Sequence, residues 1–212
     1  MVEFSIFGIR VRVEPFFWVF LALIGGGFQA LASNSPEAYL GVALFVLAGF
    51  VSILIHELGH ALMIKKFGLP TEIVLTTFGG YASYPAGILT RRKSFVVTAA
   101  GPLLQLVCGG IVFVALISAP PLGGKLHLFF HYFVVVSIFW AVLNCLPIYP
   151  MDGGQMLGAI LGPRRAKALY MTGMTTAGIM GMIALAFGSI LLMVFMGLFA
   201  FQNYQLYQQS RY

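Results

Sequence analysis

The chain has 212 residues, of which 60% are hydrophobic and 8% are charged, and its mean hydropathy is +0.96. This composition excludes an ordinary soluble globular protein and predicts a polytopic membrane protein, all-α in class. The net charge of +6 does not indicate nucleic-acid binding, because the basic residues lie in short clusters between apolar segments, where membrane topology explains them.

The chain begins with a short polar segment and a first apolar span. Residues 2–13 alternate apolar and polar side chains and predict a short strand or an interfacial segment before Pro15. Residues 16–32 are apolar and predict the first span. The segment before this span lacks the basic region, short apolar core and cleavage site of a signal peptide, so we expect the span to be retained.

The second predicted span, residues 39–64, contains the sequence His-Glu-Leu-Gly-His. On a helix His56 and His60 lie one turn apart on the same face, so both imidazoles can reach one Zn²⁺ while Glu57 faces the open coordination position. A chance match, or two histidines that hydrogen-bond within a helix bundle, is the alternative. An ionisable residue at the centre of a bilayer costs about 3 kcal/mol, which favours a functional role here. His56 lies about 13 Å below the level of Lys65.

Residues 67–94 do not have the pattern of a helix. The β-branched stretch 71–77, followed by Gly79-Gly80 and Pro85, predicts a strand and a turn that dip into the membrane against protein. An unpaired strand edge here can accept an extended substrate by strand addition, with Gly79 and Gly80 as candidate substrate-binding residues. An ordinary interfacial loop is the alternative.

Four further spans complete a prediction of about six transmembrane helices. They are expected at residues 94–118, 126–146, 166–184 and 189–208, with a turn at 119–124 and a bend at 187–189. Small residues at 99–101 and 109–110 permit close helix contact in the third span. Pro147 and Pro150 end the fourth span and are expected to place Asp152 on non-helical backbone.

The distribution of basic residues predicts the topology. With six spans, Lys125 is the only basic residue expected on one side of the membrane. The other side receives Arg10, Arg12, Lys65, Lys66, Arg91, Arg92, Lys93, Arg164, Arg165, Lys167 and Arg211. The positive-inside rule then makes both termini and both loops that follow the polar motifs cytoplasmic.

A catalytic zinc usually takes three protein ligands, so a third is required. Membrane depth and sidedness exclude Glu37, His127 and His131, which leaves Asp152 as the best candidate and Glu72 as the second. Asp152 could instead cap a helix that begins near Gly153.

Three further polar residues need an interpretation. Asn144 is an amide on an apolar span, so it either bonds the broken backbone or orients a substrate carbonyl. Cys108 and Cys145 lie in or beside apolar segments and are interpreted as packing residues, not as a disulfide or as metal ligands.

Three motifs together resemble the site-2 protease family of intramembrane zinc metalloproteases, in a minimal form without a PDZ or CBS domain. The motifs are HELGHALMIKKFGLPTEIVLTTFGG, the AAGP at 99–102 and NCLPIYPMDGG at 144–154, and the resemblance covers roughly residues 46–157. It implies a membrane-embedded β-hairpin around residues 71–85. It also implies one Zn²⁺ held by His56, His60 and Asp152, Glu57 as the catalytic base and Asn144 as a substrate-positioning residue. Gln105 and Gln155 depart from the usual residues of this family, Asn and a basic residue.

The implied function is hydrolysis of peptide bonds in or near transmembrane segments by one domain over residues 1–212, with a catalytic core at about 39–157. The expected partners are single-span membrane substrates, the lipid bilayer and a regulatory membrane protein, without nucleic acid. The expected location is the cell membrane, with the active site open to the cytoplasm. The alternative is a non-catalytic scaffold or a metal-handling transporter of the same fold, for which charges spread over several spans would be expected.

Overall fold

The computed structural model describes residues 1–85, 87–118 and 123–210. Most of the predicted turn at 119–124, and Arg211, lie outside these residues. The chain divides into two compact units. The first unit comprises residues 1–86 and 100–141, and the second comprises residues 87–99 and 142–212.

A four-stranded sheet forms part of the first unit. Its strands are β1 (Val2–Ile6), β2 (Ile9–Val13), β3 (Glu72–Thr76) and β4 (Gly79–Ser83), in the spatial order β1-β2-β3-β4. β1 and β2 form one antiparallel hairpin, β3 and β4 form another, and β2 pairs with β3 in parallel. The predicted hairpin at 71–85 is therefore confirmed. Residues 2–13, predicted as a short strand or an interfacial segment, form two strands, and the joining of both hairpins into one sheet was not predicted.

Five helices contribute to the first unit. They are α1 (Pro15–Ile24), α2 (Gly27–Ser33), α3 (Pro36–Lys66), most of α4 (Arg91–Ser118) and most of α5 (Gly124–Asn144). The predicted span at 16–32 consists of two helices, because α1 and α2 are bent by 67° relative to each other. Gly26 lies between them in the left-handed region at φ +89°, which a continuing helix cannot adopt.

The core of the first unit joins the sheet to α3. β2 turns Val11 and Val13 inward and β3 turns Ile73 and Leu75 inward, since alternate residues of a strand share one face. These side chains pack with a larger apolar cluster that includes Phe17, Leu21, Ile53, Leu54, Leu58 and Ala61. The helix that carries the His-Glu-Leu-Gly-His motif is thus fixed against a sheet along the turns that hold the motif.

The second unit is mainly a helical hairpin. After α6 (Asp152–Leu161) and a short 3-10 helix (Pro163–Arg165), α7 (Ala166–Ala186) and α8 (Ile190–Gln209) confirm the two predicted C-terminal spans. The bend between them contains Gly188 at φ +73°. A buried cluster of Ile148, Met151, Ala177 and Met196 packs the segment before α6 against this hairpin.

Within the described residues, five helices are long and apolar enough to cross a membrane, or six if the bent pair α1 and α2 counts as one span. The protein is a multi-pass membrane protein, mainly helical, with a small sheet. The prediction of about six spans is confirmed in this sense.

Candidate metal centre

The two histidines face each other on α3. The centroids of their rings lie 4.8 Å apart, and Nε2 of His60 lies 3.1 Å from Nε2 of His56. Both side chains are buried, with exposed fractions of 2% for His56 and 8% for His60. Two nitrogen ligands of a tetrahedral zinc, at bonds of about 2.0–2.1 Å, lie about 3.3 Å apart. The separation of the two Nε2 atoms is close to this value, so the histidine pair is spaced as two zinc ligands would be.

Two glycines on α3 and α4 set how closely the histidines are packed. A Cβ at position 59 would lie 2.8 Å from the Cα of Gly101, so the two helices are in direct backbone contact there. A Cβ at position 101 would overlap the ring of His60. The small residues at 99–101 therefore permit the close contact that the sequence predicted, and that contact falls on a candidate ligand.

Gln105 contacts the other histidine. Its Oε1 lies 2.9 Å from Nδ1 of His56, and the glutamine side chain is fully buried. Sequence reasoning noted Gln105 only as a departure from the family pattern and missed its contact with His56. The available signal was a polar side chain one helical turn after Gly101 in an otherwise apolar span.

Glu57 is buried beside the β3–β4 hairpin, with 3% of its surface exposed. A Cβ at position 80 would lie 2.7 Å from Cγ and 2.9 Å from Cδ of Glu57, so the backbone of β4 runs directly against this carboxylate side chain. Gly79 has φ +120°, and a Cβ there would lie 2.9 Å from the ring of Trp140. Both glycines are thus required by close packing, whatever their part in substrate binding.

Asp152 lies at the start of α6. The structure corrects the expectation of non-helical backbone, because Asp152 is the first residue of the helix and Met151, with φ −60° and ψ 161°, is its N-cap. The alternative role of Asp152 as the N-cap is excluded by the same observation. A carboxylate in the first turn is favoured by the partial positive charge of a helix N-terminus. Asp152 is buried, with 8% of its surface exposed.

The segment before α6 is folded tightly. A Cβ at position 153 would overlap the backbone carbonyl oxygens of Cys145 and Leu146, and one at position 154 would overlap the backbone at Ile148. Asn203 on α8 donates from Nδ2 to the carbonyl oxygen of Tyr149 over 2.6 Å. The position of Asp152 in its unit thus depends on glycine packing and on a buried amide.

Three of the predicted residues form one group of candidate ligands. Among the residues that the structure describes, His56 and His60 of the first unit and Asp152 of the second are the ones that could hold a metal ion, and all three are buried. Two imidazole nitrogens and one carboxylate oxygen form a donor set typical of catalytic zinc, which leaves a fourth position for water or substrate.

The other candidate residues have different surroundings. Glu72, the second candidate for the third ligand, accepts a 2.7 Å hydrogen bond from Arg12 across the parallel strands. His127 and His131 on α5 and Cys145 after it are exposed. Asn144 is the last residue of α5 and is half-buried.

Comparisons with known proteins identify relatives of the chain. Residues 44–127 and 119–189 match the sequence profile of "Peptidase family M50". The chain is 31% identical over 168 residues to a zinc metalloprotease of Methanocaldococcus jannaschii, with 76% of this chain and 45% of that protein aligned. It is 30% identical over 151 residues to stage IV sporulation protein FB of Bacillus subtilis, with 70% and 46% aligned.

A solved structure supports the same relationship. The chain matches the site-2 protease from Methanocaldococcus jannaschii with a TM-score of 0.67 and 27% identity, over 97% of this chain and 94% of that chain. The chain spans about half the length of the two curated relatives named above, 45% and 46%. Zn²⁺ is the cofactor that the family and the donor set of His56, His60 and Asp152 indicate.

Proposed function

Because the chain belongs to peptidase family M50, the site-2 protease family, we propose that it is an intramembrane zinc metalloprotease. It hydrolyses peptide bonds in or near the transmembrane segments of membrane-protein substrates. The observation that carries this proposal is the buried group of His56, His60 and Asp152 with the motif carboxylate Glu57 next to His56 in sequence. Such ionisable side chains are costly in apolar helices unless a function requires them.

In this proposal His56, His60 and Asp152 are the protein ligands of the zinc. When bound, Zn²⁺ supplies Lewis acidity, which lowers the pKa of a water molecule and polarises a carbonyl group. Glu57 is the general base, which accepts a proton from the attacking water and returns it to the nitrogen that leaves.

The substrate segment has to be extended before its carbonyl can be attacked, because a transmembrane helix hides its carbonyls in hydrogen bonds. β4 is an edge strand of the sheet, paired with β3 alone among the strands of the described chain. Its Gly80 lies against Glu57. We therefore assign β4, with Gly79 and Gly80, the role of holding the substrate by strand addition beside the base, and Asn144 the role of orienting a substrate carbonyl.

The whole chain, residues 1–212, acts in this proposal as a single transmembrane protease domain in the cell membrane. Both termini and the opening of the active site face the cytoplasm, since Lys65, Lys66 and the cluster 91–93 follow the positive-inside rule. The substrates are single-span membrane proteins, and a regulatory membrane protein controls access to them.

Cleavage and zinc content, measured together, test the proposal. Purified wild-type protein and the Glu57→Gln variant are incubated in liposomes with a panel of single-span substrates, and bound zinc is measured in both. Glu37→Gln is the matched control, because it makes the same change on the same helix at an exposed position. We expect cleavage by wild type and Glu37→Gln, with zinc in all three proteins.

Loss of the general base is expected to lower the rate by about 10²–10⁴-fold or more. Cleavage by Glu57→Gln at the wild-type rate would refute the role of Glu57. Absence of zinc from all metal-replete preparations would refute the metal centre. Zinc in the wild type without cleavage of any substrate would favour the scaffold or transporter alternative.

A further inference from the structure

We propose that Gln105 is a positioning residue that holds His56 in one tautomer, with the proton on Nδ1 and the lone pair of Nε2 directed at the metal position. The inference rests on the proposed function only in taking His56 as a zinc ligand. It concerns a residue of α4 that lies outside the His-Glu-Leu-Gly-His motif and whose hydrogen bonds join it to His56 and Ser52.

The orientation of the Gln105 amide follows from its partners. Its Nε2 lies 3.2 Å from the backbone carbonyl oxygen of Ser52 and 2.8 Å from Oγ of the same residue. A carbonyl oxygen can only accept a hydrogen bond, so the amide atom that faces it must be the NH₂ group. The opposite orientation would place two acceptors, Oε1 and the Ser52 carbonyl, against each other.

The tautomer of His56 follows from this orientation. With Nε2 of Gln105 directed at Ser52, Oε1 faces Nδ1 of His56 at 2.9 Å. Oε1 only accepts, so Nδ1 of the neutral ring donates its proton to it. The proton of a neutral imidazole is then used at Nδ1, and Nε2 carries the lone pair that a metal requires. A backbone carbonyl one helical turn before His56 thus determines the protonation of its ring.

The line of hydrogen bonds continues to a third helix. Oγ of Ser52 lies 2.8 Å from Oγ of Ser137 on α5, and both serines are fully buried. Gly109 permits this approach of α4 to α5, because a Cβ there would lie 2.8 Å from Cβ of Ser137. Since each polar atom of the Gln105 amide has a partner inside the protein, the amide has no reason to rotate.

One face of α4 therefore serves both histidines. Gly101, Gln105 and Gly109 are spaced by four residues and lie along the same side of the helix. Gly101 packs against the ring of His60, Gln105 bonds His56, and Gly109 packs against Ser137. The glycines allow α4 to pack closely, and Gln105 between them provides the hydrogen-bond acceptor for His56.

The first test uses the wild-type protein alone. The ¹⁵N chemical shifts of the imidazole nitrogens of His56 are measured in metal-free, detergent-solubilised protein at about pH 8, where an unperturbed histidine is neutral. We expect His56 to be protonated at Nδ1. Protonation at Nε2, or an equal mixture of the two tautomers, would overturn the inference, and this result needs no variant to fold and no substrate to be cleaved.

The second test compares zinc affinity, measured by competition with a chelator, among three variants and the wild type. Gln105→Met keeps the length of the side chain and removes its hydrogen bonds. Gln105→Glu retains an acceptor toward Nδ1, and the hydroxyl of Ser52 can donate to its second oxygen. Gln202→Met makes the same change at an exposed position on α8. We expect Gln105→Met to bind zinc about 10–100-fold more weakly, which is typical for loss of a partner behind a metal-binding histidine.

Recovery by Gln105→Glu to within about threefold of wild type, with Gln202→Met unchanged, would separate positioning of His56 from a general effect on packing. Equal zinc affinity of Gln105→Met and wild type would overturn the inference. Zinc affinity is read without substrate, so a wild type that binds zinc as expected and cleaves nothing would refute the protease while leaving the role of Gln105 intact.

Discussion

His56 and His60 extend from the interior of the long helix α3, whereas Asp152 lies at the first position of α6, after the break that follows α5. The separation of the two histidines is set by one turn of helix, and neighbours on α4 orient their rings. The position of Asp152 depends on a folded segment in which the backbone at Gly153 and Gly154 touches the backbone of residues 145–149.

This difference determines how each region tolerates change. Where a neighbour of the site is a side chain, a small intrusion displaces that side chain and leaves the fold in place. Where the neighbour is backbone, the same intrusion has to open the segment itself, because the backbone is held by the elements on both sides. Single methyl groups added in the two regions should therefore produce different combinations of lost stability and lost zinc affinity.

The largest effect is expected for Gly153→Ala. The new methyl group would overlap the carbonyl oxygens of Cys145 and Leu146, and neither can move without separating α6 from the end of α5. We expect a loss of about 3 kcal/mol in the free energy of unfolding, at the upper end of the range for overpacking. Unfolding in mixed detergent micelles measures this change.

Gly158→Ala is the matched control, because it lies on the same helix. The nearest atom to a Cβ there is the flexible end of Leu169, at 3.2 Å. The gain in helix propensity, about 0.5–1 kcal/mol, offsets the small displacement of that side chain. Equal destabilisation by the two variants would show that the 145–154 segment is not held by backbone contact.

Gly101→Ala is expected to lower stability less than Gly153→Ala does and to weaken zinc binding more. Its methyl group would overlap the ring of His60 and displace that side chain from its place opposite His56. We expect zinc affinity to fall about tenfold or more, as for other changes that misorient a ligand. Zinc competition and unfolding are measured on the same preparation.

Gly110→Ala provides the control on α4, since a Cβ at that position meets nothing within 4 Å. It should bind zinc like the wild type. If Gly101→Ala lost stability as severely as Gly153→Ala while its zinc affinity stayed normal, the contrast between side-chain and backbone neighbours would be wrong.

The contrast also explains which parts of the structure could be predicted from the sequence. The histidine pair was predictable because the spacing of a helix alone brings His56 and His60 together. Pro147 and Pro150 correctly predicted that α5 ends before them, but the start of α6 at Asp152 was foreseen only as an alternative, a helix beginning near Gly153. That start depends on two glycines that fit against backbone distant by several residues, and such a fit has no local signature.

Two other features of the structure could not be predicted from the sequence, for related reasons. The parallel pairing of β2 with β3 joins residues that are 62 positions apart, such as Arg10 and Glu72, and no periodicity in the sequence indicates such a pairing. Gln105 was visible as a polar residue in an apolar helix, but its partner is 49 positions away. The break between α1 and α2 has a signal in the sequence, the run Gly25-Gly26-Gly27, but the apolar composition around these glycines favoured one span.

The smallest effect concerns pH and falls on the first unit alone. Asp152 is the only acidic residue in the sequence of the second unit, so outside the metal centre acid acts on the carboxylates of the first. On the β1–β2 hairpin the exposed side chain of Arg10 donates a 2.6 Å hydrogen bond to Glu3, and this bond lowers the pKa of Glu3 below its ordinary value of 4.5. A carboxyl group whose pKa is lowered on folding stabilises the hairpin above the ordinary value, and this contribution is lost as pH falls through the lowered value.

We expect protection of the β1–β2 amides against hydrogen exchange to fall between about pH 6 and about pH 3. The Arg10→Gln protein should start with lower protection and lose less of it over that range, whereas an equal loss in both proteins would show that the Glu3–Arg10 pair does not stabilise the hairpin.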